Sequence, residues 1–349
     1  MTADRLETPM KSGSIDRSGL LAAGNFIIDQ VKMIDLWPEQ DALATISGVS
    51  PSNGGGPYNL LKDLARLGAP FPLAAAGRLG DDANGQAIRD DCAAHGVDVS
   101  RFIDTPGVPT PFTDVMTVEG TGRRTFFYHP GANAHFSEDD LDFGTNETAR
   151  FFYLGYVMLL ERLDHPRADG SNGAGALLEK ATEAGYFTIV DIVSGAPERF
   201  PKVVPPSLPE TDLLFLNEFE AGCVLETKVP AERDAMIEAA RRFLDLGVRQ
   251  TVILHAASGA VAVSRDGEVA VQSAVAMPAE EIRGAVGAGD AFGAGVIYGL
   301  HDGWGMKRCL ETGACVAAAC LTDETTSGGV CKLEDALRLG ARHGFGSFR

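Results

Sequence analysis

A doubly wound, mainly parallel α/β sheet flanked by helices, with a small second sheet beside it, is the fold class this sequence predicts. Short apolar stretches of strand length alternate with helical patterns that stop at glycine along most of the chain. Such β–α alternation favours a parallel sheet covered on both faces. Twice a hairpin pattern interrupts the rhythm, and the first interruption supplies strands that the main sheet does not need.

The elements follow in order. Leu20-Leu21-Ala22-Ala23-Gly24 reads as a short buried strand, and Val31 to Ser47 as an extended stretch of mixed polarity. After Asn53-Gly54-Gly55-Gly56, Pro57 suits a first helical turn. Leu60, Leu61, Leu64 and Leu67 then share one helical face, and Gly68 can end that helix in a left-handed conformation. Phe71 to Gly77 is the next strand, and Gly85 to His95 a helix stopped by Gly96. Pro111 to Tyr128, turning at Glu119-Gly120-Thr121-Gly122, is the first hairpin. Strands at Phe151–Val157, Phe187–Val193, Leu213–Leu216 and Thr251–Leu254 alternate with helices at Ala174–Ala184 and Ala231–Leu246. Ala260 to Val271, turning at Asp266-Gly267, is the second hairpin.

Composition narrows the function classes. With 45% hydrophobic and 22% charged residues over 349 positions, the chain can bury a large core, and one domain is expected from residue 20 to 349. A formal charge of −18 repels phosphate backbones, so nucleic acid is not an expected partner. Met1 to Gly19 is polar, lacks an apolar signal core and reads as a loose tail. No run approaches the ~20 apolar residues of a membrane span, so a cytoplasmic protein without membrane attachment is expected. The six cysteines show no C-x-x-C spacing and read as reduced thiols.

The segment Arg283-Gly284-Ala285-Val286-Gly287-Ala288-Gly289-Asp290-Ala291-Phe292-Gly293 carries the chemistry. Consecutive N–H groups at a glycine-rich helix start form an anion cradle. Asp290 stands at that positive end, where a carboxylate stays ionised and can accept a proton from a hydroxyl. The pair suits phosphoryl transfer to an alcohol. A small-residue helix contact with Asp290 as a plain N-cap is the bland alternative. The dinucleotide fingerprint is broken by Phe292, and no Walker A pattern is present.

Gly287-Ala288-Gly289-Asp290-Ala291-Phe292, together with Asn53-Gly54-Gly55-Gly56-Pro57-Tyr58-Asn59, resembles the ribokinase-like (PfkB) carbohydrate kinase family. Further matches come in the family's order: Gly24-Asn25 then Asp29, Gly77-Arg78-Leu79-Gly80-Asp81-Asp82 before Gly85, Gly131-Ala132-Asn133, and Asn217-Glu218-Phe219-Glu220. The resemblance implies a ribokinase-like α/β domain with a small β lid, built from segments about 31–47 and 111–128, that closes over the sugar. It also implies transfer of the ATP γ-phosphate to a sugar hydroxyl. Asp290 corresponds to the catalytic base and Gly287, Ala288 and Gly289 to the anion hole. Asp29, Gly55, Gly56 and Asn59 correspond to the sugar-binding set, joined by Asn133. Asn217 and Glu220 correspond to the residues that organise Mg2+ (Glu220 through water) and the triphosphate. Gly259 stands near the nucleotide side. Relatives often pair through their lids, so a homodimer is an expectation of the resemblance.

The physics of these residue types agrees with a sugar. One carboxylate such as Asp29 can accept from two adjacent hydroxyls, and Asn59 can donate and accept at once. Arg124, after the hairpin turn, is a candidate contact for an anionic substituent on the substrate. Gly284-Ala285-Val286 stands where the family often has Asp-Thr-Thr, and His255-Ala256 where it often has Thr-x-Gly. Two alternatives stay open: a nucleoside kinase of the same fold, and a sugar- or nucleotide-binding protein without catalysis.

Overall fold

The computed structural model describes residues 17–144 and 147–349; the expected tail up to residue 16 lies outside the described residues. Among the described residues thirteen strands follow in chain order: β1 Leu20–Gly24, β2 Ile27–Ile34, β3 Ile46–Gly54, β4 Leu73–Gly80, β5 Val97–Thr105, β6 Phe112–Val118, β7 Arg124–His129, β8 Phe151–Val157, β9 Phe187–Ile192, β10 Leu213–Asn217, β11 Thr251–Ala256, β12 Gly259–Ser264 and β13 Val269–Ser273. Nine of them form one sheet in the order β13-β12-β11-β10-β9-β8-β1-β4-β5. Pairing is parallel from β5 through β11 and antiparallel only in the terminal hairpins β11–β12 and β12–β13.

Successive side chains of a strand point to opposite faces, and β1 shows what this does to a strand buried on both sides. Leu21 and Ala23 enter one hydrophobic layer with Phe152, Leu154, Val190 and Leu214, under the helices Gly173–Glu183 and Arg233–Asp245. Leu20 and Ala22 enter the other with Phe151, Tyr153, Ile189 and Leu213, under the helices Gly56–Leu67, Ala288–His301 and Met306–Cys320.

Chain direction reverses at β1. The chain runs outward from β1 to β4 and β5, then returns to place β8 on the other side of β1 and continues to β9, β10 and β11. Such a switch point leaves a crevice beyond the carboxyl ends of the strands.

The remaining four strands form a separate sheet, ordered β3-β2-β6-β7. Here the chain departs from the extended stretch expected over 31–47. Strand β2 begins four residues earlier, at Ile27, and residues 35–45 are a turn-containing connection to β3. Asp29 therefore sits on a lid strand. Burial explains the mixed pattern: β2 is partly buried over Asp29–Met33, so its sequence lacks a clean alternation. The β5 strand and the helices Met306–Cys320 and Leu333–His343 are further elements beyond those read from the pattern. Among the described residues, no helix is long and apolar enough to cross a membrane.

Candidate active site

The helix Ala288–His301 opens at Gly287, whose φ of 79° is a left-handed conformation that side chains rarely adopt. The first intrahelical bond of this start is donated by the Ala291 N–H to the Gly287 carbonyl at 2.8 Å. The N–H groups of residues 288–290 therefore have no partner within the helix. Gly287, Gly289 and Asp290 border a cavity of about 490 Å3. Asp290 is only 6% exposed, yet its carboxylate is fully engaged at the edge of that cavity. Asn59 Nδ2 donates to Oδ2 at 2.8 Å, and the Tyr156 hydroxyl donates to Oδ1 at 2.6 Å and Oδ2 at 2.7 Å.

Asn59 owes its orientation to a second asparagine. Asn53 Nδ2 donates to Asn59 Oδ1 at 2.7 Å and to Ser327 Oγ at 3.0 Å. Since Oδ1 of Asn59 accepts, its NH2 end must face Asp290. Ser52 and Thr326 are linked by a 2.8 Å hydroxyl contact, so the end of β3 is tied to the segment behind the helix start.

Across the cavity, Asp29 and Thr113 are register neighbours on β2 and β6. Burial raises the Asp29 carboxyl to about 7; the Thr113 hydrogen bond lowers it and the Asp290 charge raises it further. Burial likewise lifts Asp290 to about 6, against the lowering effects of Tyr156 and Asn59. Asp191, at the end of β9, accepts from the Tyr153 hydroxyl at 2.8 Å. Burial, then the charges of Asp290 and Glu220, push it well above the usual carboxylate range.

Another part of the cavity wall is built by a capping box at the end of β10. Asn217 Oδ1 accepts from the Glu220 N–H at 2.9 Å, and Glu220 Oε2 accepts from the Asn217 N–H at 2.9 Å. The Ser194 hydroxyl donates to Glu220 Oε1 at 2.9 Å. Burial raises Glu220 to about 7, and the Asn217 N–H lowers it. His255 lies at the end of β11 beside Gly289, and burial holds its imidazole down at about 4, so it is neutral.

Asp29, Gly55, Asn59, Asn217, Glu220, Gly287, Gly289 and Asp290 thus border one cavity. Ala288 is the first residue of the helix between the two glycines. Besides Ala288, four expected residues do not border it. Gly56 lies under the tyrosines of β8. Asn133 has no exposure and stands behind Tyr128, donating to its hydroxyl at 3.4 Å. Arg124 lines a neighbouring groove with Glu324, Arg283 and Val286. Gly259 begins β12 and is paired with Ala256 and Ser273 inside the antiparallel hairpin.

Sequence reasoning passed over Tyr156, Thr113 and Leu159, which line the cavity together with Phe126 and Tyr128 of β7, and gave Asp191 no role there. The tyrosines of Phe-Phe-Tyr-Leu-Gly-Tyr-Val look like core. The signal that points to Tyr156 and Asp191 is their place at carboxyl ends of strands beside the switch point.

The raised carboxyls make a stability prediction. Asp29 and Glu220 at about 7 and Asp290 at about 6 hold more protons in the folded chain than in the unfolded one between roughly pH 4 and 7. Stability from such groups is present at the low end of this window and is lost as pH rises through the folded values. The apo protein is expected to melt at a lower temperature at pH 8 than at pH 6. Asp29→Asn should flatten that decline; a parallel decline in the variant would contradict the assignment.

A doubly wound sheet with an amide-lined helix start, a carboxylate beside it and a small sheet over the crevice defines a phosphotransferase acting on an alcohol. The chain belongs to the pfkB family of carbohydrate kinases, whose family description matches residues 22–332. It is 25% identical over 298 residues to a 5-dehydro-2-deoxygluconokinase of Clostridium perfringens, covering 78% of this chain and 79% of that one. It is 28% identical to the aminoimidazole riboside kinase of Salmonella typhimurium, covering 76% and 78%. In structure it resembles the ribokinase of Arabidopsis thaliana complexed with ribose and ATP, with a TM-score of 0.76, 21% identity, and 93% and 98% of the chains covered. It also resembles the nucleoside kinase of Burkholderia thailandensis in complex with inosine, with a TM-score of 0.72, 18% identity, and 94% and 100% covered.

Proposed function

We propose that this protein transfers the γ-phosphoryl group of ATP to a hydroxyl of a small uncharged carbohydrate, with Asp290 as general base. The observation that carries the reading is one cavity shared by Asp290, the unpartnered amides of a helix start, and a polyol-binding pair, Asp29 and Asn59. A hydroxyl held by Asp29 lies opposite Asp290, which takes its proton as phosphate is received. The main-chain amides of 287–289 stabilise charge on the moving group.

Asn217, Glu220 and His255 offer the polar end for the triphosphate. Among the described residues, no three metal-ligating side chains converge. Glu220 and Asp191 are the lining carboxyls that would face a hydrated Mg2+ carried by the nucleotide, since hard cations prefer oxygen ligands. Such an ion would supply charge neutralisation at the phosphates.

Charge decides between acceptors. The cavity lining holds Asp29, Asp191, Glu220 and Asp290 and, among the described residues, no Lys or Arg. At pH 8, above the values of Asp29, Glu220 and Asp290, a like charge about 5 Å away at an effective dielectric of about 20 costs about 3 kcal/mol. With ATP and Mg2+, ribose, fructose, 2-keto-3-deoxygluconate, adenosine and guanosine should be compared as acceptors. The uncharged acceptors are expected to exceed the sugar acid by about 100-fold in kcat/KM, the equivalent of that energy. Preferential turnover of the sugar acid would overturn the charge argument, and no transfer to any acceptor would overturn the kinase reading. A nucleoside is the second reading, favoured by Phe126, Tyr128, Leu159 and Ile27, an aromatic and aliphatic wall suited to a flat base.

A further inference from the structure

Tyr156 is the part of the site that phosphoryl transfer does not require. Its hydroxyl contacts both oxygens of Asp290, whereas Asn59 contacts one. The surrounding fold is shaped to keep it there. The Tyr156 N–H donates to Asn25 Oδ1, on a side chain with no exposure. Gly56 lies against the ring: a Cβ at that position would stand 2.7 Å from Tyr156 Cε1 and 2.9 Å from the Tyr153 hydroxyl. No side chain beyond hydrogen fits between the start of the helix Gly56–Leu67 and this phenol.

The phenol acts only as a donor. Burial, then the charges of Asp290 and Asp191, push its ionisation well above the usual tyrosine range, so it cannot receive the acceptor's proton. Around Asp290 the titratable groups are Asp29 on β2, Asp63 on the helix Gly56–Leu67, Tyr153 on β8, Asp191 on β9 and Cys320 on the helix Met306–Cys320. None is a cation. Beyond the helix start itself, Tyr156 and Asn59 are the groups that favour the ionised carboxylate, and Tyr156 has the larger effect.

We infer that Tyr156 is a positioning residue for the base: its hydroxyl keeps Asp290 ionised and turned toward the acceptor, and thereby sets the lower pH limit of turnover. The inference rests on the kinase reading above. A hydrogen bond to the charged form of an acid favours that form, and a donor spanning both oxygens fixes the carboxylate plane. Oδ2 accepts from both Asn59 and Tyr156, whereas Oδ1 accepts from Tyr156 alone and is the oxygen with fewer donors to compete with an incoming hydroxyl.

The test is the kcat–pH profile at saturating acceptor for wild type, Tyr156→Phe, and a variant with 3,5-difluorotyrosine at position 156. In Tyr156→Phe the acidic limb should move up by about one unit, seen as about a fivefold loss at pH 6 that approaches tenfold by pH 5 and largely disappears by pH 8.5. Difluorotyrosine, a stronger donor of the same shape, should move it down. A Tyr156→Phe limb that coincides with wild type, or a change confined to the acceptor's KM, overturns the inference. If Tyr156→Phe does not fold, the difluorotyrosine limb decides alone, and an unmoved limb overturns it. Absence of turnover in the wild type overturns the kinase reading itself.

Discussion

Asp290→Asn is expected to lower kcat by about 10³-fold, near the middle of the range for losing a positioned general base, while ATP affinity changes little. The factor corresponds to about 4 kcal/mol of transition-state stabilisation. The substitution preserves size, and Asn Oδ1 can still accept from the Tyr156 hydroxyl, so the cavity keeps its shape. What is lost is a group able to take a proton near neutral pH. The variant also carries its own folding control. The Asp290 charge raises both Asp29 and Asp191, so removing it lets those carboxyls ionise at lower pH. Asp290 itself is a buried carboxylate, which costs stability when charged. Asp290→Asn should therefore melt no lower than wild type at pH 8. Steady-state kinetics and a thermal melt check the two halves, and turnover within tenfold of wild type would remove Asp290 from the role of base.

The parts of the site that were legible in the sequence are those whose determinants are local. Gly287-Ala288-Gly289-Asp290 needs no distant partner to be read, because the glycines, the helix start and the carboxylate are contiguous. The alternation of β1, β8, β9 and β10 was equally plain, since strands buried on both faces are apolar throughout. Residues whose position depends on pairing were not. Gly259 follows a main-sheet strand closely in sequence, but the hairpin reversal carries it into the β12 ladder. Arg124 shares a face of β7 with Phe126 and Tyr128, yet lies four residues, about 13 Å of strand, from Tyr128. Phe126 and Tyr128 reach the cavity, while Arg124 meets the groove beside Glu324.

Tyr156 illustrates a different limit. In sequence it is one more aromatic in an apolar strand, and its burial neighbours, Leu154 and Val157, are core. Only the strand order, which sets β8 beside β1 at the switch point, turns its side chain into part of the site. Gly56 has the same origin. Its sequence context suggests close approach of a sugar to the backbone, but what approaches is the ring of Tyr156.

Asp29→Ala is expected to act on the other reactant. A carboxylate that accepts from two sugar hydroxyls makes two charge-assisted hydrogen bonds, each worth about 1.5–3 kcal/mol. Together they correspond to about 10²–10⁴-fold in kcat/KM, mainly through the acceptor's KM if the contacts are equal in ground and transition states. The nucleotide's KM should stay within a few-fold, because Asn217 and Glu220 belong to β10 and the helix after it, elements of the main sheet rather than of the lid strand β2. The pH dependence separates Asp29 from Asp290. In the proposed role, Asp29 would accept from sugar hydroxyls best when ionised, and its carboxyl sits at about 7. In wild type, kcat/KM for the acceptor should therefore fall below pH 7 and steepen below pH 6 as Asp290 also takes up a proton. In Asp29→Ala the component near pH 7 should vanish and a single limb near pH 6 should remain. An Asp29→Ala profile that keeps both components would assign the upper one to another group, with Glu220 the next candidate by its own value of about 7.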